Sequence, residues 1–358
     1  MNVKGILAMF FVFVLFFGCI NLNVEPKEDE DTGKKDTDKD DGKIVVDVTD
    51  KNNSGTGNGS GSNGDGGDTG NGGEDGTGNG GEPTGNAGYT SDPNSLFAAY
   101  FFNVSVDDPY ESEVHGDGIL IKKGEFDMLI DGGPEVNSEI LINALKGKVD
   151  DIEVLVCTND DMDHCGAQFK VLDEFAVEEF WYNGKAESDQ MIALLNKIDE
   201  KGIEKKVVLR GTVEEKNGMD ISVLSPESSF ASVDAGSIVM KFTFGEFCLM
   251  TTSDIGLLQQ SSMISIYVSI NKGTNELTCN VIQVPYHGVG TGNTQIQLFL
   301  DYVDPVYGII SGSYYDHTDS RGSTMMKLQL KNVEVFETYS GEVKVTSDGT
   351  DYSVMYVE

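Results

Sequence analysis

The segment Leu155-Val-Cys-Thr-Asn-Asp-Asp-Met-Asp-His-Cys-Gly166 constrains this chain more than any other: an apolar strand runs straight into three carboxylates, an amide and a histidine. Like charges gathered this closely repel and raise one another's pKa values unless a cation holds them, so a divalent metal is the partner this cluster calls for. Residues two apart on an extended segment face the same way, so Asn159 and Asp161 can share one point. Asp163 and His164, at the turn into the next helix, can share a second point nearby. A plainer reading has Asn159, Asp160 and Asp161 cap the helix that begins near Gly166, because these residue types favour helix N-caps and turns.

The flanking pattern places that segment in an α/β domain. Strands are expected over 96–107, 118–121 and 126–131, with a turn at Gly124 between the last two and a tight turn at Asp131-Gly132-Gly133-Pro134. Ile140, Leu141 and Leu145 have helical spacing, Ile152 to Cys157 reads as a buried strand, and helices follow over 168–175 and 188–201, the second capped by Ser188. Strand, crossover helix, strand is the repeating unit, which puts helices on the faces of a sheet. The second half reads as mostly strands, at 220–224, 237–244, 246–252, 278–284, 307–311, 333–338 and 343–347. Two of them end in the polar loops Thr251-Thr-Ser-Asp254 and Pro285-Tyr-His-Gly288.

The amino-terminal quarter is of another kind. Lys4 precedes an apolar run from Ile6 to Phe17 that is short for a membrane span and has the proportions of a secretory signal peptide, residues 1–18. Gly18-Cys19 resembles a lipoprotein processing site, so Cys19 is the expected lipidation point, with an uncleaved signal anchor as the alternative. Residues 19–88 are acidic and then Gly/Asp-rich with almost nothing apolar, and cannot bury enough surface to offset ordering entropy. They are expected to be a disordered tether with a root-mean-square reach on the order of 35 Å across the Gly-rich part. The folded part is then 89–358, exported and held at the membrane surface.

Charge narrows the partners. The chain has 25 basic and 60 acidic side chains, a formal −35. Residues before Tyr89 hold 7 and 16 of these, leaving 18 and 44, so the domain itself is near −26. With only Arg210 and Arg321 as arginines there is no cationic stripe to neutralise phosphates, which argues against nucleic acid and for a small or neutral substrate. Besides Cys19, the cysteines are Cys157, Cys165, Cys248 and Cys279, enough for two disulfides in three pairings or for buried thiols.

Three of the four histidines, His164, His287 and His317, follow strand-like runs in loops that also carry Gly or Asp. Three such loops in one α/β domain, where ligands gather beyond the carboxyl ends of strands, point to a common site. The order of segments resembles the metallo-β-lactamase superfamily, in particular the hydrolase branch found in bacterial competence DNA-uptake proteins. Val114-His-Gly-Asp117 with Gly118-Ile-Leu-Ile121 resembles that branch's opening, and Leu129-Ile-Asp-Gly-Gly-Pro134 resembles its turn, making Asp131 and Gly132 structural turn residues. Thr158 to Gly166 resembles its metal-binding motif. Ser237-Ile-Val-Met240, Asp254, Val284-Pro-Tyr-His-Gly288 and Tyr315-Asp-His317 resemble its later motifs. The departures are Asn159 for the first motif histidine, Tyr286 for one histidine of a pair, Ser253 for the glycine beside the aspartate, and Ala167 for a glycine.

The resemblance implies a four-layer αββα sandwich and a metal-dependent hydrolase of an ester or phosphodiester. It implies ligands Asp161, Asp163, His164, Asp254 and His287 around one or two divalent ions, Mn²⁺, Zn²⁺ or Mg²⁺, with the choice between position 286 and His287 left open. Asp161 is expected to ligate or take a proton, His317 to aid the leaving group and Tyr286 to orient substrate. Loss of the imidazole at Asn159 supports the competing expectation, a non-catalytic surface module on the same fold.

Overall fold

A computed structural model describes residues 96–105, 115–269, 272–288, 297–312 and 319–357. The signal peptide, Cys19, the tether and His317 lie outside them.

The first half forms β1 (Phe97–Phe101), β2 (Gly118–Lys123), β3 (Phe126–Asp131), α1 (Ser138–Leu145), β4 (Ile152–Val156), α2 (Met162–Cys165), α3 (Gln168–Glu174), β5 (Val177–Tyr182), α4 (Asp189–Lys201) and β6 (Glu204–Val207). The second half forms β7 (Val213–Lys216), β8 (Met219–Ser225), β9 (Val239–Phe244), β10 (Phe247–Thr251), α5 (Leu257–Tyr267), the short pair β11 (Val268–Ser269) and β12 (Thr274–Asn275), then β13 (Val281–Gln283) and α6 (Gln297–Val303). It closes with β14 (Tyr307–Ile310), α7 (Asp319–Leu330), β15 (Glu334–Glu337), β16 (Val343–Ser347) and β17 (Tyr352–Tyr356).

Two large sheets result, ordered β17-β16-β1-β2-β3-β4-β5-β6 and β15-β14-β13-β10-β9-β8-β7. Each is antiparallel on one side and parallel on the other: β3 to β6 pair in parallel, as do β10, β13, β14 and β15. Parallel strands need crossovers, and α1, α3 and α4 supply them in the first sheet. All five residues of β4 are buried, the continuous burial expected of a parallel strand covered on both faces. Phe101, Ile119, Ile130, Val156 and Trp181 of the first sheet pack against Ile221, Met240, Phe242 and Leu249 of the second. Leu129, Leu155 and Phe180 face Leu141, Val171 and Leu194 of the helices, and Met250 and Ile282 face Met263 and Phe299. Helix, sheet, sheet, helix is the four-layer αββα sandwich expected from the sequence.

Local signals account for the ends of α4. The Ser188 side chain accepts from the Met191 amide, Met191, Leu194 and Ile198 form the buried stripe, and Gly202 closes the helix at φ 70°. Both disulfides form: Cys157–Cys165 brackets the segment after β4, and Cys248–Cys279 ties β10 to the approach to β13. Of the two readings of these cysteines, disulfides or buried thiols, the structure has the disulfides. Among the described residues no helix is long and apolar enough to cross a membrane.

Candidate metal centre

The polar loops meet at one edge of the two sheets. Asp117 precedes β2, whose Gly118 pairs with Asp131 at the end of β3. Residues 158–164 leave β4, Ser253 and Asp254 leave β10, and Tyr286 and His287 leave β13. Of the seven described non-glycine residues with positive φ, four lie here: Asp131 (58°), Ser253 (49°), Tyr286 (56°) and His287 (50°). Such conformations cost on the order of 1–3 kcal/mol each and persist where the surroundings over-determine them.

Asp117, His164, Asp254 and His287 are all buried, and one ligand atom from each lies within 4.8 Å of the others. Their orientations are set by neighbours. Asp131 Oδ2 sits 2.9 Å from His164 Nδ1, leaving Nε2, without a hydrogen-bond partner, 3.2 Å from Asp254 Oδ2. The other Asp131 oxygen accepts from the Thr158 amide, and Oδ2 also accepts from the Thr158 hydroxyl. Gln283 Nε2 donates to Asp117 Oδ2 at 2.7 Å, while Asp117 Oδ1 has no hydrogen-bond partner and stands 3.6 Å from His287 Nδ1. Asp254 Oδ1 and both His287 nitrogens are likewise without hydrogen-bond partners. Buried polar atoms are ordinarily paired, so this many converging on one point is the mark of a site that receives something. The orienting bonds on the far side of His164 and Asp117 are those that metal ligands usually carry.

The electrostatics agree. Burial alone would lower the pKa of both imidazoles, yet Asp254, Asp131 and Asp163 raise that of His164 well above its ordinary value. Asp254, Asp117 and Asp163 likewise carry His287 up to about 9. Burial pulls Asp163 upward but is outweighed by His164 and His287, which hold its carboxyl well below the usual range. Asp254 is lowered in the same way against its own burial. The pocket is built to keep positive charge, and a divalent cation fits it.

The other expected residues are placed as follows. Asp163 stands at the rim of the cluster, its Oδ2 3.6 Å from His287 Nε2. Asp161 is exposed and caps α2, accepting from the Met162 amide at 2.8 Å, which draws its carboxylate out of the four-residue group. Partial desolvation of the carboxyl, then the charge of Asp163, raises its pKa although the residue as a whole is exposed. Asn159 turns its amide to Ser237 Oγ and Ser253 Oγ, both at 3.3 Å, and Asp160 accepts from the Glu187 and Ser188 amides. Tyr286 is half-buried, and burial followed by Asp234 and Asp254 raises its phenol. The Gly132 and Gly133 amides both donate to the His164 carbonyl, fixing α2 to the Asp131 turn.

Among solved structures, several are similar to this chain at low sequence identity. A metallo-hydrolase, Igni18, from the archaeon Ignicoccus hospitalis is similar over 73% of this chain and all of its own, at 12% identity and TM-score 0.46. The metallo-β-lactamase fold protein YhfI from Bacillus subtilis is similar over 68% and 96%, at 13% identity and TM-score 0.45. A diphosphatase of the PhnP family is similar over 70% and 98%, at 12% identity and TM-score 0.43. No known protein-family profile and no curated protein matches the chain. At such identities the chemistry has to be read from the site itself.

Two residues at the centre were not picked out as site members from the sequence. Asp117 belongs to the four-residue group, and its signal was the polar Val114-His-Gly-Asp117 stretch ahead of an apolar strand. His115 from the same stretch stacks on His287, with ring centroids 4.7 Å apart.

Proposed function

We propose that this protein is a metal-dependent hydrolase that holds one divalent ion on Asp117, His164, Asp254 and His287. The observation that carries the reading is the set of buried ligand atoms without hydrogen-bond partners, two of whose residues are already oriented from behind by Asp131 and Gln283. Two imidazoles with two carboxylates suit Zn²⁺, Fe²⁺ or Mn²⁺. Bound there, the ion would supply a nucleophile at neutral pH and polarise an ester or phosphoryl oxygen.

The chain's own groups have definite parts. Asp131 keeps a proton on His164 Nδ1 so that Nε2 faces the centre. Gln283 holds Asp117 by one oxygen and leaves the other free to bind. Asp161 commits Oδ1 to the Met162 amide, and Oδ2, on a carboxyl with a raised pKa, takes up the proton released in hydrolysis. The raised phenol of Tyr286 stays protonated and donates a hydrogen bond to substrate.

Export is part of the same proposal. Two disulfides in one domain favour an oxidising compartment, in keeping with the signal-like residues 1–18.

The test is elemental analysis of the purified full chain beside Asp254→Ala and His287→Ala variants, with circular dichroism as a check on folding. About one equivalent of metal, lost in both folded variants, supports the hydrolase. A folded wild-type chain that takes up neither Zn²⁺, Fe²⁺ nor Mn²⁺ overturns it and leaves a surface module on the same fold.

A further inference from the structure

Beside the metal centre lies a cavity of about 540 Å³, within the range of small-molecule sites. It opens between α5 and the connection running from β8 to β9. Its apolar lining is Leu224, Phe230, Leu257, Leu258, Met263 and Ile266, and Asp234 also lines it. The connection from β10 to α5 ties the cavity to the centre, because Gly256, which lines the cavity, is two residues from the ligand Asp254.

The outer wall is fixed. Lys185 Nζ donates to the Phe230 carbonyl at 2.8 Å and lies 4.0 Å from the centroid of its ring. A Cβ at Gly236 would come within 2.3 Å of the same ring, so only glycine lets Phe230 lie where it does. The rim is apolar and open to solvent: Leu258 is 80% exposed and Ile266 43%. Clustered apolar exposure at the mouth of a cavity marks a place where something apolar binds.

Charge narrows what that is. Arg210 is the one cationic residue lining the cavity, and Glu227 already pairs with it at 2.8 Å while accepting from Ser262 Oγ at 3.2 Å. No unpaired positive charge along the walls would receive an anionic group, and the domain as a whole is acidic.

We propose that this cleft is the substrate groove and that it selects an uncharged ester with an apolar acyl or aryl arm over phosphodiesters and other anions. The assignment rests on the hydrolase reading. The scissile ester lies towards Gly256 and the ligand Asp254, and the arm runs along Phe230, Met263 and Ile266 towards the Arg210–Glu227 pair. Burying a methylene there raises affinity about three- to fourfold.

Two measurements on the full chain test this. The first is binding of the neutral fluorophore N-phenyl-1-naphthylamine in EDTA, to wild type and to Leu258→Lys and Ala231→Trp, both at exposed positions of the groove. The second is kcat/KM of the metal-loaded protein for p-nitrophenyl acetate, butyrate and hexanoate and for bis(p-nitrophenyl) phosphate. The expected result is probe binding without metal, weakened at least fivefold in at least one variant, and kcat/KM rising at least tenfold from acetate to hexanoate, above the phosphodiester. Absence of probe binding, unchanged binding in both variants, or preference for the phosphodiester overturns the groove assignment. Probe binding with no hydrolysis of any of the four compounds overturns the hydrolase reading, and the ester assignment with it.

Discussion

Asp131→Asn is the substitution that asks most of the proposed centre while disturbing the fold least. Asp131 is buried, touches none of the substrate-facing groups, and accepts three hydrogen bonds: from the Thr158 amide at 2.8 Å, from the Thr158 hydroxyl at 2.6 Å and from His164 Nδ1 at 2.9 Å. An asparagine keeps its oxygen on the Thr158 amide, which needs an acceptor. Its NH₂ group then replaces Oδ2 and donates to the Thr158 hydroxyl and to His164 Nδ1. Nδ1 can accept only if the imidazole proton moves to Nε2, the nitrogen that faces Asp254. The variant therefore turns the ligand atom of His164 into a donor.

Two opposing terms keep the fold. The charged acceptor is lost, but burial already raises the Asp131 carboxyl, so a neutral group gives back part of that cost. Asparagine also tolerates the φ of 58° at this position. The net change in stability is about 1 kcal/mol. Metal affinity falls 10- to 100-fold, the range for a lost orienting partner, or about 1.4–2.7 kcal/mol. Competition with a chromophoric chelator measures the affinity, ¹⁵N NMR of the imidazoles reads the tautomer, and a thermal melt checks the fold. A folded Asp131→Asn protein that binds metal within threefold of wild type would refute the claim that Asp131 orients a ligand.

Asp117→Asn is expected to lower metal affinity at least tenfold, whereas Asp161→Asn, at an exposed helix cap, should change it less than threefold; the reverse order would assign the ligand to 161. Glu153 offers a test away from the centre: burial raises its carboxyl to about 7 while one oxygen accepts from the Asp127 amide at 2.5 Å. Its folded pKa lies above the unfolded value of 4.5, so the folded state binds the extra proton, and stability falls as pH rises from about 4.5 through 7. The full shift corresponds to about 3 kcal/mol, and solvent screening brings this to about 1–2 kcal/mol. Glu153→Gln, which keeps an acceptor, should therefore raise stability by that amount at pH 8 and leave it nearly unchanged at pH 4.5; equal denaturation midpoints at pH 8 would count against the assignment. Replacing Cys157 and Cys165 by serine should cost about 2–3 kcal/mol by loop-closure entropy for a separation of 8, and replacing Cys248 and Cys279 about 3–4 kcal/mol for a separation of 31, both read from denaturant unfolding.

The first sheet was legible because its signals are local and repeated. The mostly apolar β4, the Gly124 turn, the Ser188 cap and the Gly202 stop each follow from a few neighbouring residues. The helices of the second half were not. In α5, Leu-Leu-Gln-Gln-Ser-Ser-Met-Ile-Ser-Ile-Tyr buries only Gln260 and Met263, so its sequence has no apolar stripe with helical spacing, and no side chain caps its start. Tertiary packing against β8 and α6 decides it instead. The expected strand starting at Leu96 ends at Phe101, and residues 102–105 continue as irregular chain that packs through Phe102 and Val104.

At the centre, His164, Asp254 and His287 could be named from their loops, but Asp117 could not. The polar Val114-His-Gly-Asp117 stretch ahead of β2 marks a strand start but does not by itself tell a ligand from an ordinary strand-end aspartate. Its place depends on Gln283 of the other sheet, 166 residues away, which holds one oxygen and aims the other.

The departures at 159 and 253 then form one arrangement with Asp117. The Asn159 amide and the Ser253 hydroxyl bond each other, and Ser253 also bonds Thr158, so the position that carries a histidine in the resembled motif is here a strut between the two sheets. That strut offsets part of the strain of a serine at φ 49°. It also removes one nitrogen from the metal site, while Asp117 supplies an oxygen from the other side. The exchange has a consequence for chemistry. Four protein ligands fill a tetrahedral ion, as in closed structural sites, whereas a hydrolytic ion needs an open position. With all four side chains as ligands, the site would suit ions that accept more than four donors, Mn²⁺ or Fe²⁺, better than Zn²⁺. Among the four, Asp117 has its other oxygen held by the neutral Gln283, whereas His164 is held from behind by the Asp131 carboxylate.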